Sequence, residues 1–372
     1  AGVAARFVGG CVRNTILKVS INDIDIAVDR DPTYVMRSLE AAGIQVIPTG
    51  LQHGTITAVV DGETFELTTL RRDVETDGRH AEVEFTDDWF EDASRRDFTM
   101  NALYMDMDGN VTDYFTGIAD CAALRVRFIG NAEDRIKEDY LRILRFFRFS
   151  AQYATNLDQY GLQACITYRD HMMDLSAERI FKEIATMTIT EGSAETLETM
   201  IRTGILDYWL PEANVLGSGL RNGWILDDTD LVRGFTRLLH DDTNADVVCD
   251  RLKLSNETRT RITHLLKVRG LIIGGEASWR YSVYKHGRDL FMDAVWCAPF
   301  VRIEDVARCH NWVNAYKVPK VPVNGLDLMN AGMKPGPSMG KVLRDIENRW
   351  IESDFTMDRE ELLAWWNARN MG

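Results

Sequence analysis

Apolar residues alternate with polar ones in short runs over the first third of the chain, and from about Asn131 they recur every three or four positions. The alternating runs are rich in β-branched residues. They predict strands at Arg6–Val8, Asp23–Val28, Thr55–Val60, Thr64–Thr69 and Ala102–Met107. Asp31-Pro32-Thr33 opens a helix that reaches Ala42 and stops at Gly43. Asp108-Gly109-Asn110 predicts a tight hairpin between Leu103–Met107 and Val111–Tyr114. The helical pattern covers Asp139–Ser150, Ser176–Thr188, Ala194–Thr203, Asp230–His240, Ala245–Leu254, Glu257–Val268 and Arg359–Asn370, with breaks at Leu210-Pro211 and Gly217–Gly223. No strict repeat is present. The fold class expected is α+β: a head with a mixed sheet and helices, followed by an elongated all-α array. Many helices of such an array serve to build a concave surface.

Composition adds limits. A chain of 372 residues accommodates two or more domains, and 45% hydrophobic with 27% charged residues is ordinary for a globular protein. No apolar stretch reaches the ~18 residues of a membrane span, and no basic-then-apolar signal segment opens the chain. The chain begins almost on its first strand, which leaves room for residues upstream. Six scattered cysteines without C-x-x-C spacing argue against a zinc site or disulfide scaffold and for a reducing compartment, the cytoplasm. The net charge of −14 speaks, taken globally, against a nucleic-acid binder. Screening confines charge effects to about 8–10 Å, so clustered arginines override the global balance.

The first such cluster lies in FVGGCVRNTILKVSINDIDIAV, Phe7 to Val28. Residues two apart in a strand share a face, so Asp23 and Asp25 are expected to project together while Ile24 and Ile26 point into the core. Paired carboxylates repel unless a cation sits between them, and Mg²⁺ favours one or two carboxylates plus substrate phosphates. A turn at Gly9-Gly10 with Arg13 nearby suits a triphosphate. Each piece alone is common, since a lone D-x-D is usually a solvated strand end. Together they read as a two-metal nucleotidyl-transfer site.

Three further clusters bear on that reading. In SRRDFTMNA, Ser94 to Ala102, Arg95 and Arg96 suit phosphate oxygens, although basic residues at a helix C-terminus also complement its dipole. In EDYLRILRFFRF, Glu138 to Phe149, Arg142, Arg145 and Arg148 form a slanting stripe with Asp139, beside an apolar side of Leu141, Leu144 and Phe147. Three arginines with a single acid make a poor salt-bridge ladder and a better phosphate and base contact surface. In LSAERIFKEI, Leu175 to Ile184, Ser176 is an N-cap candidate, and the helix is expected to brace the site. His240-Asp241 lacks companion metal ligands and reads as a helix end.

These segments, in this order, resemble the class II tRNA nucleotidyltransferases, the CCA-adding enzymes, and the similar bacterial poly(A) polymerases; some phrases look alphaproteobacterial. The glycine-arginine-DxD element matches Gly9, Gly10, Arg13, Asp23 and Asp25. RRDFTxNA matches Arg95 to Ala102, including Arg96, Asp97 and Asn101. EDxxRxxRxxRF matches Glu138, Asp139, Arg142, Arg145, Arg148 and Phe149, and LSxERI matches Leu175 to Ile180. Two departures stand out. Asn14 takes the place of the family's usual Asp, at a position expected to cap or orient rather than hold metal. Asp113-Tyr114-Phe115-Thr116-Gly117 replaces D-P-x-G-G, losing one hinge glycine.

The resemblance implies a polymerase-β-like head at 1–117, a base-selecting neck at 118–190, a body at 191–270 and a tRNA-binding tail at 271–372. It implies Asp23 and Asp25 as catalytic ligands of Mg²⁺, with Glu66 a possible third carboxylate. It implies Gly9, Gly10, Arg13, Arg95, Arg96, Asp97, Asn101, Asp139, Arg142, Arg145 and Arg148 as nucleotide-binding residues. An acceptor on Asp139 and a donor on Arg142 would fit both cytosine and adenine. Guanine and uracil would leave buried polar groups unpaired, at about 1–3 kcal/mol each. The implied activity is template-independent addition of C, C and A to tRNA from CTP and ATP, with no membrane partner. A loop between the head motifs, here Arg71–Glu84 with Gly78 as pivot, is linked in the family to addition of A, so full CCA addition is expected. The alternatives are a CC-adding enzyme, a poly(A) polymerase, disfavoured by the lack of a basic run in Asp345–Gly372, and a non-catalytic RNA binder. Lys182, Arg202, Arg251, Lys253, Arg259 and Arg261 are candidate RNA contacts.

Overall fold

The structure, a computed structural model, describes residues 2–76, 81–214, 229–298 and 303–370. The chain divides into two compact units, Ala1–Val215 with Asp250–Leu254, and Leu216–Cys249 with Ser255–Gly372.

The first unit opens on a mixed seven-stranded sheet. Its strands are β1 (Ala5–Val8), β2 (Asp25–Val28), β3 (Gln45–Gly50), β4 (Thr55–Val60), β5 (Glu63–Thr69), β8 (Leu103–Met105) and β9 (Val111–Asp113), in the order β3-β4-β5-β2-β1-β8-β9. Pairings are antiparallel except β2 with β5, which run parallel with Asp25 opposite Glu66 and Val28 opposite Thr69. A separate ribbon pairs β6 (Arg71–Thr76) with β7 (Ala81–Phe85). The segment expected to be a loop is therefore a β-ribbon at its base, and Gly78 lies outside the described residues. The strand β3 carries Pro48 and sits at the sheet edge, where a missing N–H costs no internal ladder bond.

The helices of this unit are α1 (Gly10–Leu17), α2 (Pro32–Ala41), α3 (Trp89–Ser94), α4 (Gly117–Ala122), α5 (Ala132–Glu138), α6 (Leu141–Tyr153), α7 (Gln159–Tyr168), α8 (Ala177–Thr188) and α9 (Ser193–Arg202). Polar side chains set several starts: Asp31 accepts from Thr33 N and Asp88 from Phe90 N, each satisfying an orphan amide. Ser176 precedes α8, but its side chain makes no capping bond. Val8, Ala27, Leu70, Ala93, Ala102, Tyr104 and Ile129 form one head core, and Val28, Val35, Ile56, Ala58 and Leu67 another. Beyond the sheet, buried Phe98 packs edge-on to tilted against Phe128 and Phe149, at 5.0 and 5.2 Å. The apolar side of α6 is thereby docked on the Arg95–Ala102 segment.

The remaining helices are α10 (Leu231–Leu238), α11 (Ala245–Arg251), α12 (Asn256–Ile272), α13 (Glu276–His286), α14 (Arg288–Cys297), α15 (Ile303–Ala315), α16 (Gly325–Asn330), α17 (Pro337–Glu352) and α18 (Arg359–Asn370). The second unit has two cores, one around Leu265, Trp279, Phe291 and Val295, the other around Leu328, Ile346, Trp350 and Leu362. His240 lies just past α10, pairs with Asp242, and Asp241 pairs with Arg269, as a helix end would. Among the described residues no helix is long and apolar enough to cross a membrane.

Candidate active site

The chain turns sharply after β1. Gly9 has φ of +70°, a conformation that L side chains rarely adopt, and its N–H donates to Leu103 O at 3.1 Å. A side chain there would meet Arg96 Nη1 and Asn101 O. The turn thus lies at the strand-end edge of the sheet, beside the start of the central strand β2.

That edge carries the carboxylates. The strand starts at Asp25, so Asp23 and Ile24 lie in the loop before it, and Ile24 is exposed rather than directed into the core. Strand alternation does not reach them because ladder pairing starts two residues later. The Asp25 carboxyl is nevertheless held above its usual range, by burial first, with Asp23 adding repulsion against the pull of Arg96. Glu66, opposite Asp25, is raised by burial and by Asp25 and Asp23. Three negative groups therefore share one corner. Among the described residues no cluster of three or more His, Cys, Asp or Glu side chains is closed enough to hold a metal unaided. The donor set fits a cation completed by substrate oxygens, which is how Mg²⁺ is usually bound.

Arg95 and Arg96 are organised by one residue that pattern reading passed over. Asp92 Oδ1 accepts from Arg95 Nε and Nη2 at 2.9 and 2.7 Å, and Oδ2 from Arg96 Nη2 at 3.0 Å and the Tyr104 hydroxyl at 2.6 Å. Burial alone would push this carboxyl up. The charges of Arg96 and Arg95 outweigh it and hold Asp92 well below the usual range. Asp92 stands three and four residues before Arg95 and Arg96, a helical spacing legible in the sequence; only its contact with Tyr104 waits for the fold.

The arginine stripe of α6 also differs from its sequence reading. Arg142 Nη1 donates to Glu138 at 2.5 Å and to Arg135 O, and Nη2 to Arg95 O. Arg145 forms a fork on Asp97 at 2.8 and 2.6 Å, and Arg148 donates to Glu183 at 2.5 Å. The stripe is matched by acids from three segments, Asp97, Glu138 and Glu183. One-helix counting missed Asp97 and Glu183 because they are remote in sequence, whereas Glu138, four residues before Arg142, was within its reach. Asp139 accepts from Leu141 N and from Arg179 Nη2 at 2.7 Å, so α8 braces α6 and the residues just before it through Arg179 and Glu183. Burial would raise the Asp97 carboxyl, but Arg145 and Asn101 bring it down to about 2.

Arg13 lies beneath the glycine turn and is 6% exposed. It donates to Asn101 Oδ1 at 2.5 Å, to Tyr153 Oη at 2.8 Å and to Asn14 Oδ1 at 2.9 and 3.1 Å. Asn101 passes the contact on to Asp97 at 2.9 Å. Asn14 therefore orients Arg13, in keeping with the role expected of that position.

Three family models match the chain: the poly A polymerase head domain over residues 5–127, the probable RNA and SrmB-binding site of polymerase A over 156–216, and the putative tRNA nucleotidyltransferase domain 2 over 234–366. The mitochondrial CCA tRNA nucleotidyltransferase 1 of Danio rerio is 32% identical over 96% of this chain and 86% of its own length. The chain belongs to the CCA tRNA nucleotidyltransferase family. The CCA-adding enzyme of Levilactobacillus brevis, another family member, is 31% identical over 98% of this chain and 94% of its own. The crystal structure of the Bacillus stearothermophilus CCA-adding enzyme in complex with CTP superposes with a TM-score of 0.75 at 26% identity, covering 100% of this chain and 94% of that one.

Of the residues considered for RNA contact, Arg251 is forked onto Glu212 at 2.6 and 2.7 Å and Arg261 is paired with Asp230 and Asp293. Arg259 pairs with Asp246 at 3.2 Å. These three are matched to acids within the protein, whereas Lys182, Arg202 and Lys253 stand exposed. Charge counting along the sequence missed the pairing because Glu212 and Asp293 lie 39 and 32 residues away from their partners.

Proposed function

We propose that this chain adds C, C and A to the 3′ end of tRNA from CTP and ATP, without a template and with release of pyrophosphate. The observation that carries the reading is the convergence of the Gly9-Gly10 turn, Arg96 and the neighbouring Asp25 and Glu66 carboxylates where the central strand β2 begins. Asp23 and Asp25, with Glu66 beside them, would hold Mg²⁺. A divalent metal bound there supplies activation of the primer hydroxyl and neutralisation of the leaving pyrophosphate.

The protein's own groups do the rest. The turn offers backbone N–H groups to phosphate oxygens. Arg95 and Arg96, already fixed by Asp92, cost little further ordering when they contact phosphate. Asp139 and Arg142 meet the base edge by exchanging Arg179 and Glu138 for it. We assign catalysis to the head (1–117), base choice to the neck (118–190), and tRNA contact to the body (191–270) and the tail (271–372). The cytoplasm is the compartment that suits six buried, free cysteines.

The test is extension of a labelled tRNA lacking its 3′ CCA, with Mg²⁺ and CTP, ATP or both. Three added nucleotides are expected, lost in Asp23→Ala and Asp25→Ala proteins. A stop after two would make it a CC-adding enzyme, and a long ladder with ATP alone a poly(A) polymerase.

A further inference from the structure

Burying a guanidinium is costly unless its donors are matched, and a carboxylate is the usual match. Arg13 has none in contact. Its four hydrogen bonds go to neutral acceptors, on Asn14, Asn101 and Tyr153. Asp97 reaches it by hydrogen bonds only through Asn101, its charge acting at longer range. A matched charge tolerates some misalignment, whereas a neutral clamp depends on each of its bonds.

Tyr153 is the member of this clamp that comes from outside the head. It ends α6, the helix that carries the neck arginines. Its hydroxyl accepts from Arg13 Nη2 and donates to Asn14 Oδ1 at 3.3 Å, closing a three-membered ring of contacts. Its ring lies under the guanidinium, 4.2 Å from centroid to Cζ, with Phe149 at 5.2 Å. Asn14 is itself held, donating to Ser20 O at 2.7 Å. On the other side the guanidinium abuts the turn: a Cβ on Gly10 would stand 3.6 Å from Arg13 Nη2. The Arg13 backbone N–H also donates to Gly9 O at 3.0 Å.

We propose that Tyr153 is a positioning residue of the nucleotide site: with Asn14 it forms an uncharged clamp that holds Arg13 beneath the Gly9-Gly10 turn and so fixes the turn that receives the triphosphate. The inference rests on the reading of that turn as a nucleotide site. No contact between Tyr153 and substrate is implied. The clamp also predicts its own replacement. A carboxylate at position 14 would face the same two Arg13 nitrogens with a charge-assisted bond and make the tyrosine hydroxyl dispensable.

The experiment is a double-mutant cycle on the full chain with Tyr153→Phe, Asn14→Asp and the double variant. CTP and ATP binding are measured directly, alongside KM and kcat in primer extension and thermal melting. Tyr153→Phe keeps the ring and its packing, so the fold is retained. Its expected effect is a rise of about 3- to 10-fold in Kd and KM for both nucleotides, the size of one lost hydrogen bond, with kcat within about 2-fold. In the Asn14→Asp background the same change is expected to cost less than about 2-fold. Asn14→Ala, which removes the oxygen that accepts from both Arg13 and Tyr153, is expected to weaken binding in the same direction and at least as much as Tyr153→Phe. Unchanged affinity in Tyr153→Phe and Asn14→Ala, or a double variant no better than Tyr153→Phe, would overturn the clamp. Absence of any nucleotide binding by the wild-type chain would instead overturn the site reading on which the clamp rests.

Discussion

Asp25 stands directly opposite Glu66 in the parallel pairing of β2 with β5. Burial raises both carboxyls above their ordinary range, helped by Asp23 at Asp25 and by Asp25 and Asp23 at Glu66. A carboxyl whose pKa is raised on folding weakens the fold above that pKa, and the penalty fades as pH falls and the group takes up its proton. A divalent cation is therefore expected to raise the melting temperature at neutral pH and to lose that effect in acid. Glu66→Gln should raise the melting temperature of metal-free protein by about 1–2 °C and shrink the gain on adding Mg²⁺. Thermal scans with Mg²⁺ or a chelator measure this, and an unaltered Mg²⁺ effect would remove Glu66 from the site.

The pair of Asp97 and Arg145 behaves with the opposite sign. Asp97 is held down to about 2 against an ordinary 3.8, so its contribution is complete above about pH 4 and is lost as pH falls towards 2. Asp97→Asn leaves the partly exposed Arg145 with only its looser Glu183 contact at 3.9 Å and is expected to cost about 1–3 kcal/mol in urea unfolding. A loss below 1 kcal/mol would mean that water already reaches the pair.

Thr116 and Gly117 are consecutive but not equivalent. Thr116 is left-handed, with φ of +63°, and is steadied by Arg127 Nη2 donating to its Oγ1 at 2.8 Å. Replacing it by glycine relieves the strain and adds backbone freedom, so Thr116→Gly should leave stability within about 1 kcal/mol. A methyl on Gly117 would collide with the Thr99 carbonyl oxygen. Gly117→Ala should therefore cost about 2–3 kcal/mol and lower the activity that depends on the Arg95–Ala102 segment. Equal melting temperatures for the two variants would contradict this.

Arg179 holds Asp139 at 2.7 Å from the far side of the proposed base pocket. Arg179→Ala leaves that carboxylate unaimed. The ratio of kcat/KM for CTP over UTP is expected to fall about 3- to 10-fold while melting changes little, since the pair is partly exposed. An unchanged ratio would separate Arg179 from base choice.

Much of the head was readable from local pattern. Strands such as Thr55–Val60 alternate cleanly, and Asp31-Pro32 announces α2 in three residues. The edge strand β3 was not, because Pro48 breaks the strand signal at the one place in a sheet that tolerates it. The ribbon β6–β7 was hidden by its charged residues, which look like loop. Within the site, the residues that bear the chemistry fall in compact motifs, whereas the ones that aim them do not. Glu183 and Tyr153 carry no motif of their own, and each is defined by a partner that only folding brings near, whereas Asp92 sits at plain helical spacing from Arg95 and Arg96.

The distance along the chain between Arg13 and Tyr153, 140 residues, has a consequence for biosynthesis. At about 5–20 residues per second, the ribosome delivers the tyrosine on the order of ten seconds after the arginine it will hold. Within that interval the sheet strands are themselves completed, the last ending at Asp113, while the glycine turn still lacks this lock. The proposed nucleotide site is thus completed late and from its C-terminal side, when α6 and then α8 emerge.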